Sequence, residues 1–265
     1  MNTHRRPRAS AITLTVSALL GLGMLAGCTS GGSSASPSAA GTPAASGAAM
    51  SAPRLLSAAL AALRAGGSVH VDISSIAHGG TVAFSDDATG NGGRQVITID
   101  GTGHATILLI DGVDYVQADT QGLQGFFELP LTQAEQAAGQ WISLRPGQKL
   151  GTSSYNDVTA GITLSSVATE LQVGKPLSKT APATVAGQPV IGVQAPLPAN
   201  QGLRGAKTVL YVTDDAALRP VRYELVGGGS TQDTISFSRW GERLRLTTPA
   251  NAVPASSLTS GSVTV

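Results

Sequence analysis

The 265-residue sequence predicts an α+β domain built on one large antiparallel sheet. Short runs in which apolar and polar residues alternate follow one another closely, and glycine or aspartate turns separate them. The candidate elements come in the order helix, strands, helices, strands, which is typical of a sheet with segregated helices. The chain is long enough for one such domain with a substantial core.

Composition excludes several classes of partner. The chain has 17 Lys and Arg against 16 Asp and Glu, so it has no basic excess to hold a nucleic-acid backbone. Aromatic residues make up only 4% of the chain, too few for platforms that stack single-stranded bases. A single cysteine excludes an internal disulfide framework. We therefore expect no nucleic-acid partner.

The N-terminus has the pattern of an export signal. Three arginines within residues 1–8 precede an uncharged, largely apolar segment over 9–27. This segment could alternatively be an uncleaved anchor that barely spans a bilayer. Residues 25–28 (LAGC) look like a bacterial lipobox and place the only cysteine where that motif needs it. The sequence therefore predicts a signal peptide over 1–27 and lipid attachment at Cys28, which supplies at least two acyl chains.

The mature chain starts with a tether. Residues 28–51 consist of the lipidated Cys28 and a tract of small and polar residues that has nothing to bury, so we expect it to be disordered. Cleavage after residue 27 leaves 14 basic and 16 acidic residues, a formal charge of −2. The lipid, and not a basic patch, is therefore expected to hold the protein on the outer face of the cell membrane.

The domain over 52–250 opens with an amphipathic helix at 53–64. Its apolar stripe consists of Leu55, Leu56, Ala59, Leu60 and Leu63. Pro53 occupies a first-turn position that tolerates proline, and Gly66 and Gly67 end the helix. The strand after it alternates Val69, Val71 and Ile73 with polar residues.

Further strands lie on both sides of a helical middle. The predicted strands are 81–85, 95–100, 105–110, 114–118, 189–194, 208–213, 221–226, 234–239 and 243–247. The middle contains a short helix at 132–138, extended chain at 141–144 and a second amphipathic helix within 152–172. The small, polar tail over 251–265 is expected to be disordered.

Five local motifs occur in a telling order. They are 60–64 (LAALR) running into 68–72 (SVHVD), 110–116 (IDGVDYV) followed by Trp141, 186–190 (AGQPV), 218–224 (LRPVRYE) and 237–241 (FSRWG). Over roughly 52–250 the chain resembles the LppX/LprG/LprF lipoproteins of actinobacteria, whose fold is similar to that of the carriers LolA and LolB. The resemblance implies a strongly curved sheet, a half-barrel, with helices packed on its concave face. It further implies a cavity for triacylated lipids, phosphatidylinositol mannosides or related glycolipids.

Twelve apolar residues alternate along the strands and are expected to face one side of the sheet. They are Val71, Ile73, Val82, Phe84, Ile97, Ile99, Ile107, Leu109, Leu210, Val212, Ile235 and Phe237. These residues either form a packed core beneath the helices or line a lipid cavity, and the pattern alone leaves both interpretations open.

Residues that could carry catalysis form no recognisable constellation. His70, His78 and His104 have no metal-ligand spacing, and no Gly-x-Ser-x-Gly elbow occurs. The aspartates at 86–87, at 214–215 and at 111, 114 and 119 could be carboxylate pairs or calcium ligands, but aspartates beside turns more often cap the local backbone. We therefore expect no enzyme activity, no cofactor and no metal.

The leading hypothesis is a monomeric, membrane-anchored lipoprotein that binds or shuttles an acylated lipid or glycolipid. The alternative is a cell-surface interaction module with a filled core, whose partner is a protein or a polysaccharide. A continuous apolar void between sheet and helices would favour the first hypothesis, and tight packing through that gap would favour the second.

Overall fold

The computed structural model describes residues 46–77, 80–171, 173–197, 205–227 and 233–259. The predicted signal peptide, Cys28, most of the tether, His78 and the end of the tail lie outside these residues.

Twelve of the described strands belong to one sheet. In chain order they are β1 (Ser68–Ala77), β2 (Gly80–Thr89), β3 (Gly93–Ile99), β4 (Gly103–Ile110), β5 (Val113–Ala118), β6 (Ile142–Leu144), β9 (Ser178–Val185), β10 (Gln188–Pro196), β11 (Lys207–Thr213), β12 (Pro220–Val226), β13 (Asp233–Ser238) and β14 (Val253–Pro254). The remaining two, β7 (Lys149–Leu150) and β8 (Ser153–Ser154), form a separate hairpin.

Six α-helices are described. They are α1 (Ala52–Ala65), α2 (Thr120–Gly125), α3 (Leu131–Ala137), α4 (Tyr155–Thr159), α5 (Leu164–Glu170) and α6 (Ala255–Thr259). Of these described helices, none is both long enough and apolar enough to cross a membrane.

The sheet joins two antiparallel meanders side by side. Its order is β14-β6-β5-β4-β3-β2-β1-β13-β12-β11-β10-β9, so β1 of the first meander pairs with β13 of the second. Neighbouring strands run antiparallel except β14, which pairs with β6 in parallel. The sheet is open, with β14 and β9 at its edges. The predicted α+β class with a large antiparallel sheet is confirmed.

Helix α1 anchors one half of the core. Leu55, Ala59 and Leu63 are fully buried because they fall on one face at helical spacing. This helix contacts α5 and the strands β10, β11 and β12. Pro53 lies in the first turn and Gly66 follows the last residue, as the sequence predicts.

Helices and strands pack into two hydrophobic clusters on one face of the sheet. The first cluster contains residues of α1, α5, β1, β10, β11 and β13, and its fully buried members include Leu55, Leu63, Val193, Leu210 and Val212. The second cluster contains residues of β3 to β6 and α2 to α4, and its fully buried members include Ile97, Ile107, Leu123, Phe127 and Ile142.

The amphipathic helix predicted within 152–172 forms as α5, in which Leu164, Val167 and Ala168 are buried. A further short helix, α4, precedes it, and a capping box starts each of the two, at Ser154 with Asp157 and at Thr163 with Ser166. Gly161 lies between them with a φ of +76°, which a continuous right-handed helix cannot contain.

The predicted strands differ from the structure in two places. Residues 243–247 form no strand, because their alternating side chains find no partner strand in the described part of the chain. Strand β9 was not predicted, since most of its side chains are exposed and it lacks an apolar alternation. Helix α2 was also not predicted; Asp119 caps it by accepting a hydrogen bond from the Gly122 amide at 2.6 Å.

Both predicted disordered ends contain ordered residues. Ser46 Oγ donates to Asp214 Oδ1 at 2.8 Å, and the Lys179 ammonium donates to the Ala48 carbonyl at 2.6 Å, so the end of the tether contacts the domain. In the tail, β14 pairs with β6 at the edge of the sheet, α6 contacts both strands, and Ala255 is buried in the second cluster. The prediction of disorder is therefore wrong for these residues.

Candidate functional site

A continuous row of cross-strand neighbours connects the two clusters. Tyr223 pairs with Ile235, Ile235 with Ile73, Ile73 with Phe84, and Phe84 with Ile97. Directly opposite residues of antiparallel strands point to the same face. The middle of this row is half-buried, whereas Ile97 at its end is fully buried. Core packing therefore loosens where the clusters meet.

An open cavity of about 400 Å³ lies at this meeting point. We call it the central cavity; it is lined by Ile73, Ser75, Phe84, Gln95, Phe126, Asp157, Ala160, Gly161, Glu170, Tyr223 and Ile235. Phe84 and Phe126 meet edge to face with their ring centroids 6.2 Å apart. A volume of this size is within the range of small-molecule sites, and its wall is mainly apolar.

One end of the central cavity is polar. In the row next to the apolar one, Val71 of β1 pairs with Asp86 of β2, and Asp86 pairs with Gln95 of β3. Asp86 is fully buried and accepts a hydrogen bond from Gln95 Nε2 at 3.2 Å through Oδ2. Its other oxygen, Oδ1, is buried and has no hydrogen-bond partner among the described residues.

Burial changes the protonation of this end. It raises the pKa of the Asp86 carboxyl to about 8; the Gln95 hydrogen bond opposes this rise, and the charges of Glu170, Asp72 and Asp87 add to it. Partial desolvation of the Glu170 carboxyl raises its pKa to about 7. Because the Glu170 residue remains exposed, solvent screening makes its shift smaller in free energy than the shift of Asp86.

Gly161 lies next to the buried carboxyl. A Cβ at this position would lie 3.4 Å from Gln95 Nε2, 3.4 Å from Glu170 Oε1 and 3.6 Å from Asp86 Oδ2. Three polar groups from β2, β3 and α5 therefore converge on a glycine that lines the central cavity.

The turn-capping interpretation of the aspartates holds for some and fails for others. Asp119 caps α2, and Asp215 accepts hydrogen bonds from the Ala217 and Leu218 amides. Asp86 lies within strand β2 and Asp114 within β5, and both are fully buried, so the interpretation is wrong for these two.

Asp114 is a second buried carboxyl, away from the central cavity. It accepts a hydrogen bond from Thr159 Oγ1 at 2.9 Å through Oδ2, and its Oδ1 has no hydrogen-bond partner among the described residues. Burial raises its pKa to about 7, against a smaller opposing effect of the Thr159 hydrogen bond. It does not line the central cavity.

His70 belongs to a polar groove at another place on the sheet. Its Nδ1 lies 2.7 Å from Asp87 Oδ1 and its Nε2 lies 3.2 Å from Asp72 Oδ1, while Arg239 also contacts Asp87 at 3.1 Å. These residues form a polar network, and the described part of the chain contains no group of three or more such side chains that could hold a metal ion.

The twelve predicted cavity residues divide evenly between the clusters. Val71, Ile73, Leu210, Val212, Ile235 and Phe237 belong to the first, and Val82, Phe84, Ile97, Ile99, Ile107 and Leu109 to the second. Ile73, Phe84 and Ile235 line the central cavity. Val82 and Ile99 are partly buried against the second cluster. The other seven are buried in the interiors of the two clusters.

Sequence reasoning missed the polar end of the cavity. The signal that could have found it was the apolar alternation of β2 and β3, in which Asp86 and Gln95 occupy positions that the pattern assigns to the buried face. Phe126 and Glu170 come from helical segments, so no strand pattern could have pointed to them.

Comparison with known proteins finds similarity in the fold alone. No family model matches the chain, and no curated protein matches it. Among solved structures, it is similar to the lipoprotein LppX of Mycobacterium tuberculosis, with a TM-score of 0.46 and 16% identity over 74% of this chain and 99% of that one. It is also similar to an uncharacterized conserved protein from Thermus thermophilus, with a TM-score of 0.39 and 12% identity over 77% and 97% of the two chains. A DUF1329 family protein from Desulfovibrio piger has a TM-score of 0.26 and 11% identity over 77% and 96%.

Proposed function

We propose that this protein is a membrane-anchored, extracytoplasmic lipoprotein that binds an acylated lipid or glycolipid in the central cavity without chemical conversion. The observation that carries the proposal is the open, mainly apolar cavity of about 400 Å³ between two closely packed clusters. In a sheet face that is otherwise covered by helices, such a space accommodates an acyl chain. In this proposal the sheet curves around the helices as a half-barrel.

Reversible loading follows from the physical chemistry of such a site. An acyl chain that leaves the bilayer for an apolar cavity exchanges one apolar environment for another, so each methylene group gains or loses little free energy. A carrier of this kind needs no chemical step. The groove around His70 takes no part in this proposal, since it does not line the central cavity.

The anchor would hold the carrier close to its source of ligand. Lipidated Cys28 attaches the monomer to the outer face of the membrane, and the segment from there to residue 45, outside the described residues, connects it to the domain. Its small and polar composition predicts a random-coil span, roughly 21–25 Å for about 18 residues. The domain can therefore approach the bilayer and leave it while it remains attached.

Lipid analysis of the purified full chain tests this function. Organic extracts of wild type and of Ile235→Trp, prepared in the same detergent, are compared by mass spectrometry. We expect the variant to retain less lipid per protein, because the indole occupies the cavity. Val226→Trp is the matched control, since this side chain is 39% exposed and its replacement leaves the cavity open. Equal lipid in all three proteins would contradict the proposal.

The second candidate is a cell-surface interaction module that binds a protein or polysaccharide. It is favoured by the burial of seven of the twelve candidate residues in filled clusters. This candidate predicts that the extracts contain only lipids of the surrounding membrane, with no species enriched in wild type over Ile235→Trp.

A further inference from the structure

We propose that the central cavity selects amphiphiles whose head group is uncharged and donates hydrogen bonds, as glycerol and sugar hydroxyls do, and discriminates against anionic head groups. This inference rests on the proposed function, since it specifies the ligand of the same cavity.

The charges around the central cavity have one sign. Of the residues that line it, Asp157 and Glu170 are the ionisable carboxylates, and the described lining contains no lysine or arginine. Asp86 lies behind Gly161 at the polar end. An anionic head group would therefore meet like charges in the lining, and like charges brought together in a partly desolvated site repel strongly. The cation that acts on these carboxylates is Lys149, outside the lining, whose charge lowers the pKa of Asp157.

The polar end offers hydrogen-bond acceptors. Asp86 Oδ1 is buried and has no donor within the described residues, while Oδ2 accepts only from Gln95 Nε2 among them. Glu170 Oε1 and Asp86 Oδ2 lie 3.4 and 3.6 Å from the point that a Gly161 Cβ would occupy. A hydroxyl placed beside this glycine could donate a hydrogen bond to a carboxyl oxygen. An ionised head group such as a sulfate has no proton to donate.

Ionisation of the protein should strengthen the selection as pH rises. The charges that act on Asp86 are those of Glu170 from α5, Asp72 from β1 and Asp87 from β2, and the neutral Gln95 of β3 donates a hydrogen bond to it. Burial holds the pKa of Asp86 at about 8 and that of Glu170 at about 7. Both therefore lose protons between pH 6 and pH 9, which adds negative charge at the polar end.

The test uses the lipidated full chain in phosphatidylcholine nanodiscs. Two photoactivatable probes with the same diazirine-bearing alkyl chain are added in turn, a 1-alkylglycerol ether and an alkyl sulfate. The sulfate is anionic throughout the pH range, so any pH effect reports on the protein. Cross-linked peptides that contain Ile73, Phe84, Phe126 or Ile235 are quantified by mass spectrometry.

We expect the glycerol ether to label these peptides about tenfold more than the sulfate at pH 7.4, a ratio that corresponds to about 1.4 kcal/mol. The ratio should be larger at pH 9 than at pH 6. Equal labelling, or stronger labelling by the sulfate, would overturn the selectivity and leave lipid binding intact. Labelling of these peptides by neither probe would overturn the selectivity and the proposed function together.

A pair of variants assigns the selectivity to the polar end. Asp86→Leu removes the buried acceptor and keeps a similar volume, so the ratio should fall by about threefold or more, as the loss of one hydrogen bond implies. Asp111→Asn, at an exposed turn that does not line the cavity, should leave the ratio unchanged. If Asp86→Leu does not fold, the wild-type ratio and its pH dependence still decide the proposal. An unchanged ratio in folded Asp86→Leu would overturn the role of Asp86.

Discussion

Asp86 is the residue at which local chemistry and fold stability conflict most. It is fully buried between Val71 and Gln95 on the neighbouring strands, and only one of its oxygens has a hydrogen-bond donor among the described residues. A buried acceptor without a partner costs about 1–3 kcal/mol, and an ionised carboxylate costs more. Two neighbouring apolar clusters can tolerate that cost. The residue is therefore better explained by a role at the cavity than by folding.

The pH dependence of folding tests this description of Asp86. Its pKa is about 8 in the folded protein against 3.8 when unperturbed, so the folded state binds more protons than the unfolded state between these values. Stability from this group is complete below about pH 4 and is lost as pH rises towards 8. Asp86→Asn, which stays neutral, should avoid that loss, which amounts to at most about 4 kcal/mol between pH 4 and pH 7.

Denaturant unfolding of wild type and Asp86→Asn at several pH values measures the effect. Asp157→Asn is the control of opposite sign, because two hydrogen bonds from Ser154 lower the pKa of Asp157. The stability that Asp157 contributes is lost as pH falls through its folded pKa. Parallel stability curves for wild type and Asp86→Asn would contradict the burial of an ionisable Asp86.

At the scale of elements, the break between α4 and α5 shapes the cavity. A single helix that ran on from α4 into α5 would place side chains where Gly161 now leaves space beside Gln95 and Glu170. The two capping boxes stabilise the break on both sides, because each satisfies amide groups at a new helix start. The interruption, which the apolar periodicity of α5 does not reveal, is thus the feature that leaves space beside Gln95 and Glu170.

Gly161→Ala should reduce ligand binding beyond what its loss of stability alone would cause. Its φ of +76° disfavours any other residue by about 1–2 kcal/mol, and the added methyl group would lie 3.4 Å from two polar atoms. Gly139→Ala is the matched control, since Gly139 has a φ of +74° and no described atom lies within 4 Å of the point that its methyl group would occupy. Both variants should lose similar stability in thermal melts. Only Gly161→Ala should lose cross-linking of the glycerol ether, and equal binding in the two variants would contradict the assignment.

At the scale of the whole molecule, sequence patterns predict what depends on local periodicity. The stripe of Leu55, Ala59 and Leu63 specifies α1, and alternation specifies β1 to β5. Long-range pairing is not a local property, so the contact between β1 and β13 and the addition of β14 to β6 could not be read from the chain. The alternation in 243–247 was misleading for the same reason, since a strand also needs a partner. The division into two clusters, and hence the cavity between them, is a consequence of that pairing.

The anchor can be tested on the whole chain. Cys28→Ala removes the only sulfur that can accept a diacylglyceryl group, so the protein should not gain the mass of the lipid. Intact-mass measurement of the membrane fraction decides the result. A Cys28→Ser variant is the matched control, because serine keeps the size and shape of cysteine but lacks the sulfur. If either variant still carried the mass added by the lipid and remained in the membrane fraction as wild type does, lipid attachment at Cys28 would be contradicted.

The closely packed clusters and the cavity between them should respond differently to a larger side chain. Val71 and Ile235 lie on neighbouring strands, but Val71 is buried in the first cluster whereas Ile235 is half-buried and lines the central cavity. Val71→Trp should overpack the cluster and cost about 1–3 kcal/mol or more. Ile235→Trp should cost less, because the added ring enters existing space. Thermal or denaturant unfolding of both variants beside wild type measures the difference. A loss at Ile235→Trp as large as that at Val71→Trp would mean that the sheet–helix gap is filled, and it would favour the interaction module over the lipid carrier.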